Sequence, residues 1–169
     1  FSGPTDERLR FNQFGYQRNI YYGDIMVHYG VAHKPIWLSE AAWNPILDAE
    51  LPPDQIAAYS NYGEVTEEQA ARYMPLAYQR AQEQWPWIGQ VSYWFFTRPS
   101  NAEINQSWYY FRMVEPDYSA EHPTFTPLPI YFSMQNYVTE ATQIPTLYMG
   151  THQAESWQIS AENSQTVTD

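Results

Sequence analysis

The sequence predicts an α/β fold in which helices cover a parallel sheet. Three observations point there. Helical and extended patterns alternate in the order helix, strand, helix, strand, helix. The two principal extended runs, "PIWLSE" and "IGQVSYWFF", are apolar almost without interruption, as strands buried on both faces are. At 169 residues the chain is long enough for one domain with a real core and too short for two.

Between about residues 12 and 29, Phe14, Ile20, Tyr21, Ile25 and Met26 recur at helical spacing, with Gly30 as a stop and Pro35 beyond it. "PIWLSE" follows as a short strand, too brief for a helix and closed by a loop containing "NP" and "LPPD". Thr66 with Gln69 three residues later forms a capping-box signature. Ala70, Tyr73, Ala77, Ala81 and Trp85 then share one helical face. Pro75 lies inside that helix and should kink it, and "WPW" ends it. Residues 88–96 form the second strand, rich in β-branched and aromatic side chains. A long polar loop comes next, in which "WYYFRMV" is expected to form a short extra strand. A last helix is expected over residues 126–139, with Pro127 at an early position where its missing donor does no harm. Residues 1–144 therefore read as one unit, and 145–169 as a tail that is a linker or the start of a further domain.

Nineteen acidic residues face eight basic ones, Lys34 is the single lysine, and the arginines are scattered. A phosphate backbone or an anionic membrane surface needs clustered Lys and Arg, so neither is an expected partner. The absence of cysteine excludes disulfides and thiolate metal sites without assigning a compartment. No apolar run approaches the roughly 20 residues that cross a bilayer. Seven Trp, 15 Tyr and 8 Phe make up 18% of the chain. Where exposed, such rings offer flat apolar faces with a polar edge, which suit sugars, although most single ones fill a core.

Side chains alternate along a strand, so Ile36, Leu38 and Glu40 share a direction and Glu40 ends an apolar row. In parallel α/β architectures the C-terminal strand ends form the functional face, and Glu40 and Trp94 both lie there. A carboxylate beside an indole suits glycoside hydrolysis, with the carboxylate attacking the anomeric carbon and the ring holding the sugar. The alternative for Glu40 is a solvated residue at a loop edge. His28, His33, His122 and His152 show no ligand spacing, so no metal is implied. Glu64, Glu67 and Glu68 sit where a helix dipole favours negative charge. Arg98 follows the second strand and is expected to bind a loop carboxylate, or else a substrate hydroxyl. Asn105 begins an N-x-S acceptor pattern, meaningful only in a secreted eukaryotic protein.

Taken in order, "KPIWLSEAAWNP", "WPWIGQVSYWFF", "WYYFRMVEPDYS" and "PTFTPLPIYFSMQNY" resemble the C-terminal portion of a clan A glycoside hydrolase, the retaining (β/α)8-barrel enzymes of the cellulase and β-xylosidase type. The resemblance covers about residues 16–137. It implies the C-terminal part of a TIM barrel, incomplete as given, with "PIWLSE" and "VSYWFF" as the seventh and eighth strands. It implies Glu40 as nucleophile, Trp94 as the floor of the sugar site, and Trp43 and Asn44 as substrate contacts. Ala42 stands where the family usually has Gly before the Trp. The family's acid/base carboxylate lies in an Asn-Glu pair ending the fourth strand, and no such segment is present, so the rest of the barrel is expected upstream and this chain alone is expected to be inactive. A β-linked oligosaccharide or glycoside is the implied substrate, with no cofactor or metal, and secretion is what such a role would suit. Two rivals stand beside this reading: a non-catalytic carbohydrate-binding or scaffold protein on the same barrel, and a small α/β interaction domain in which Glu40 and Trp94 are structural.

Overall fold

The computed structural model of the chain describes residues 3–6, 15–98, 100–119 and 121–140. The expectation for residues 145–169 lies outside them, as does Phe14. The centre is a crossover unit. Strand β1 (Ile36–Ala41) pairs in parallel with β2 (Ile88–Tyr93), and the long helix α2 (Glu67–Gln84) connects them. The parallel pairing thus agrees with the alternation read from the sequence. Burial on both faces does not. Trp37 is 68% exposed, and Ser39, Gly89 and Gln90 are also exposed, because among the described residues this sheet is two strands wide and one of its faces has no cover.

The pairing is irregular in a way that matters for the site. Leu38 faces Val91 and Ala41 faces Tyr93, so β1 spends one more residue than β2 between those pairs, at Ser39 and Glu40. Such a bulge bends the strand and re-aims a side chain. The strict alternation expected through Glu40 is broken there. The ladder ends with the Trp94 N–H donating to the Ala41 carbonyl at 3.3 Å, and β2 stops at Tyr93 rather than running on to Phe96. The Trp94–Phe95 peptide bond is cis.

Helix α1 (Asn19–His28) follows a single 3-10 turn at Tyr16–Arg18. Its end is a Schellman motif: the Gly30 N–H bonds the Val27 carbonyl, the Val31 N–H bonds that of Met26, and Gly30 takes φ +69°. Glycine is needed there because a side chain at that φ is strained. A different glycine docks the helix. A Cβ on Gly23 would stand 2.7 Å from the Trp87 ring, and the Trp87 indole donates to the Asn19 carbonyl at 3.2 Å. Ile25, Val27 and Tyr29 remain exposed, so α1 meets the body through its first half.

Helix α2 starts on the expected reciprocal cap. The Thr66 hydroxyl accepts from the Gln69 N–H at 3.1 Å, and the Gln69 side chain accepts from the Thr66 N–H at 2.9 Å. Ala70, Ala71, Met74, Ala77 and Ala81 are buried and meet helix α3 (Pro129–Glu140) through Ile130 and Met134. Pro75 removes the donor that would serve the Ala71 carbonyl, yet α2 is unbroken across it. The Ser133 hydroxyl on α3 supplies that donor instead, at 2.6 Å. The start of α3 lies later than expected, with Pro129 first, because residues 124–127 pair as a strand: β3 (Val114–Asp117) and β4 (Thr124–Pro127) form an antiparallel hairpin. "WYYFRMV" begins in a 3-10 turn, Ser107–Tyr110, and only its last residue enters β3. Tyr109 and Tyr110 there close a second apolar cluster with Ile46 and Ile56.

Candidate functional site

A cavity of about 680 Å³ opens beyond the C-terminal ends of β1 and β2. Its floor comes from the strand ends, one wall from the start of α1, and the opposite wall from the loops after each strand. Glu40 and Ala41, neighbours in sequence, both line it together with Leu38, at the point where the bulge interrupts the alternation of β1. Glu40 is exposed to the cavity and makes no hydrogen bond or ion pair with another described residue. Trp94 lines the same space and is 38% exposed, its backbone tied to Ala41, the residue after Glu40. Glu40 and Trp94 therefore converge as the sequence suggested.

Trp43 and Asn44 divide differently. Trp43 is 8% exposed, packed on Tyr16 and Tyr73 with ring centroids 5.6 and 5.7 Å away, and shows the cavity little more than a margin. Its main place is the core. Asn44 does not line the cavity at all. It is 1% exposed, and its amide donates to the carbonyl and the hydroxyl of Ser107, each at 3.1 Å. Ser107 in turn donates to the Tyr59 carbonyl at 3.2 Å, and its N–H to the Ala57 carbonyl at 3.1 Å. Asn44 thus staples the loop after β1 to the loop after β2. As a substrate contact it is corrected: a fully enclosed amide committed to Ser107 positions the wall instead.

Sequence reasoning missed most of that wall. Tyr22 and Arg18 come from the first turns of the N-terminal helix, Tyr62 from the loop after β1, and Glu103 and Trp108 from the loop after β2. Tyr62 meets Phe111 edge-on at 5.8 Å, and the Trp108 indole N–H donates to the Glu103 carboxylate at 3.2 Å. A sequence signal existed only for Trp108, which lies in the aromatic-dense loop after β2.

Arg98 was expected to bind a loop carboxylate, and among the described residues it pairs with none. It is 6% exposed, stacks its guanidinium 3.6 Å from the Phe95 ring centroid, and donates through Nε to the Tyr109 carbonyl at 3.3 Å. Burial pulls its pKa down to about 10, with Glu103 acting in the opposite sense. Arg112, further along the same connection, pairs instead with Glu115 on β3. Glu67, from the acidic group Glu64, Glu67 and Glu68, lies in the first turn of α2, and burial raises its pKa. Among the described residues no three or more His, Asp or Glu groups are placed to hold a metal ion, and no helix is long and apolar enough to cross a membrane. His152 lies outside the described residues.

What this arrangement offers chemically is an open carboxylate, an indole fixed beside it, further aromatic rings and two guanidinium groups around one concave space. Comparison with models of known protein families, with characterised proteins and with solved structures gives no match, so a functional reading of this chain rests on that geometry.

Proposed function

We propose that this chain is the C-terminal part of a retaining glycoside hydrolase built on a TIM barrel and acting on β-linked oligosaccharides or glycosides. The observation that carries the proposal is the meeting of Glu40 and Trp94 at the C-terminal ends of two adjacent parallel strands, in one cavity. Trp94 would hold a sugar ring while a Glu40 carboxylate oxygen bonds the anomeric carbon as the glycosidic C–O bond breaks. The leaving oxygen takes its proton from a second carboxyl group, and water then cleaves the resulting ester with that group as base. Glu103 accepts from Trp108 in the wall, and the acid/base role falls to a residue outside this chain. The bare face and open edges of the two-stranded sheet fit a unit completed by further strands.

A second reading has an observation of its own. A nucleophilic carboxylate is commonly steadied by hydrogen-bond donors, and Glu40 has none among the described residues. That favours a carbohydrate-binding or scaffold protein on the same barrel, with the aromatic platform kept and the chemistry lost.

Incubation of the protein, expressed with its native upstream sequence, with a mechanism-based fluoroglycoside separates the two. Expected is one covalent adduct per chain, mapped by mass spectrometry to the peptide bearing Glu40. Turnover of substrate with the adduct on a different residue would overturn the assignment of Glu40, and sugar binding with neither turnover nor adduct would favour the binder.

A further inference from the structure

We infer, resting on the sugar-site reading above, that the cavity is built for an acidic sugar, a uronic acid whose carboxylate accepts hydrogen bonds from the guanidinium of Arg98. Arg98 lines the cavity and is 6% exposed, yet among the described residues only the Nε of its side chain has a hydrogen-bond partner. Its Nη2 is enclosed without an acceptor. Glu103, whose charge it feels most, accepts from Trp108 instead, at 3.2 Å. A cation withdrawn from water with neither a counter-ion nor a full set of acceptors is unfavourable unless something offsets it. An anion entering the cavity would do so.

The geometry also selects the kind of anion. One guanidinium face is covered by the Phe95 ring at 3.6 Å and Nε is held by the Tyr109 carbonyl, which leaves the Nη1–Nη2 edge for recognition. A planar carboxylate matches that edge and strengthens the bonds through charge. The neighbouring Trp94 supplies a flat apolar face of the sort that carries a sugar ring, so the carboxylate and the ring belong to one ligand. The chain's net charge of −11 repels anions in general, which makes a local cation the necessary reader of an acidic substrate. Where a neutral hexose bears a hydroxymethyl group, the uronic acid bears the oxyanion that Arg98 lacks.

Calorimetric titration of the protein with its native flanking sequence tests this, using methyl β-D-glucuronide, methyl β-D-glucoside and inorganic sulfate. Expected is glucuronide binding at least about tenfold tighter than glucoside, and no competition from sulfate at equal concentration. Arg98→Met and Arg98→Lys should each bring the ratio of the two affinities toward one, the lysine variant keeping the charge and the long stem so that misfolding is not the cause. Equal affinity for the two sugars in the unaltered protein would overturn the inference while leaving the glycosidase reading intact. Sulfate competing as well as the glucuronide would overturn it too, by showing a site for free anions. Preference for the glucuronide without turnover or labelling of Glu40 would uphold the inference and sink the hydrolase.

Discussion

At the scale of single residues, Glu40 and Trp94 were legible because position at a strand end is written in the sequence, whereas the parity expected through Glu40 gave way to the bulge at Ser39 and Glu40. Asn44 was not. Its motif suggested a substrate contact, but whether an amide reaches a ligand or another loop depends on Ser107, sixty-three positions away. Arg98 was also opaque, since the carboxylate that might have paired with it is chosen by loop geometry, and the geometry gave Glu103 to Trp108. Two outcomes follow for the proposed hydrolase. Glu40→Gln, which keeps shape and removes the charge, should lower kcat by at least about a thousandfold in steady-state assays while the protein still folds. Trp94→Ala should raise KM about two- to tenfold with a smaller change in kcat, the amount a lost aromatic face contributes. The reverse pattern, kcat falling with KM unchanged, would remove Trp94 from the binding surface.

At the scale of elements, the reciprocal cap of α2 and the glycine stop of α1 could be read directly, because each is a local pattern. The long-range partner of Pro75 could not. Sequence predicts the missing donor, while the Ser133 hydroxyl that replaces it comes from a helix packed alongside. The residues of β4 were read into the next helix for a related reason, because pairing with Val114–Asp117 is a tertiary choice. The Pro75–Ser133 pair can be measured in a double-mutant cycle. Ser133→Ala should cost about 1–3 kcal/mol in urea unfolding, leaving the Ala71 carbonyl without a donor. In a Pro75→Ala background the restored N–H can serve that carbonyl, so the same substitution should cost less than half as much. Equal costs in both backgrounds would mean that the hydroxyl does not stand in for the proline's absent donor.

At the scale of the whole molecule, the order and direction of the parallel pair and its connecting helix were legible, while the antiparallel hairpin and the extent of cover were not, since strand pairing and burial depend on what lies beside a strand. Ile25, Val27, Tyr29 and Trp37 are all more than half exposed, so this chain should enhance the fluorescence of a hydrophobic dye, and under the barrel proposal the remaining strands should suppress that signal. The molecule should also lose stability in alkali. Burial raises the pKa of Tyr78, Tyr110 and Tyr137, and pushes Tyr109 up to about 12. The phenols are protonated in both states below pH 10, so their contribution is intact there. Above that the unfolded chain ionises first, and stability falls until the folded phenols ionise as well. Arg98 acts oppositely between about 10 and its ordinary value, where the unfolded chain holds the proton more tightly, but one arginine faces six tyrosines, since burial raises Tyr16 and Tyr93 as well. Urea midpoints that stay level from about pH 8 to about pH 12 would contradict this balance. The extra residue that β1 carries at Ser39 and Glu40 has a last consequence, for how the gene can vary. Deleting one residue there would remove that bulge and rotate the acidic group away from the indole, whereas lengthening the connection at its exposed stretch, Pro52 to Gln55, would leave their alignment untouched. Inherited length changes should therefore crowd into that connection and spare those two positions.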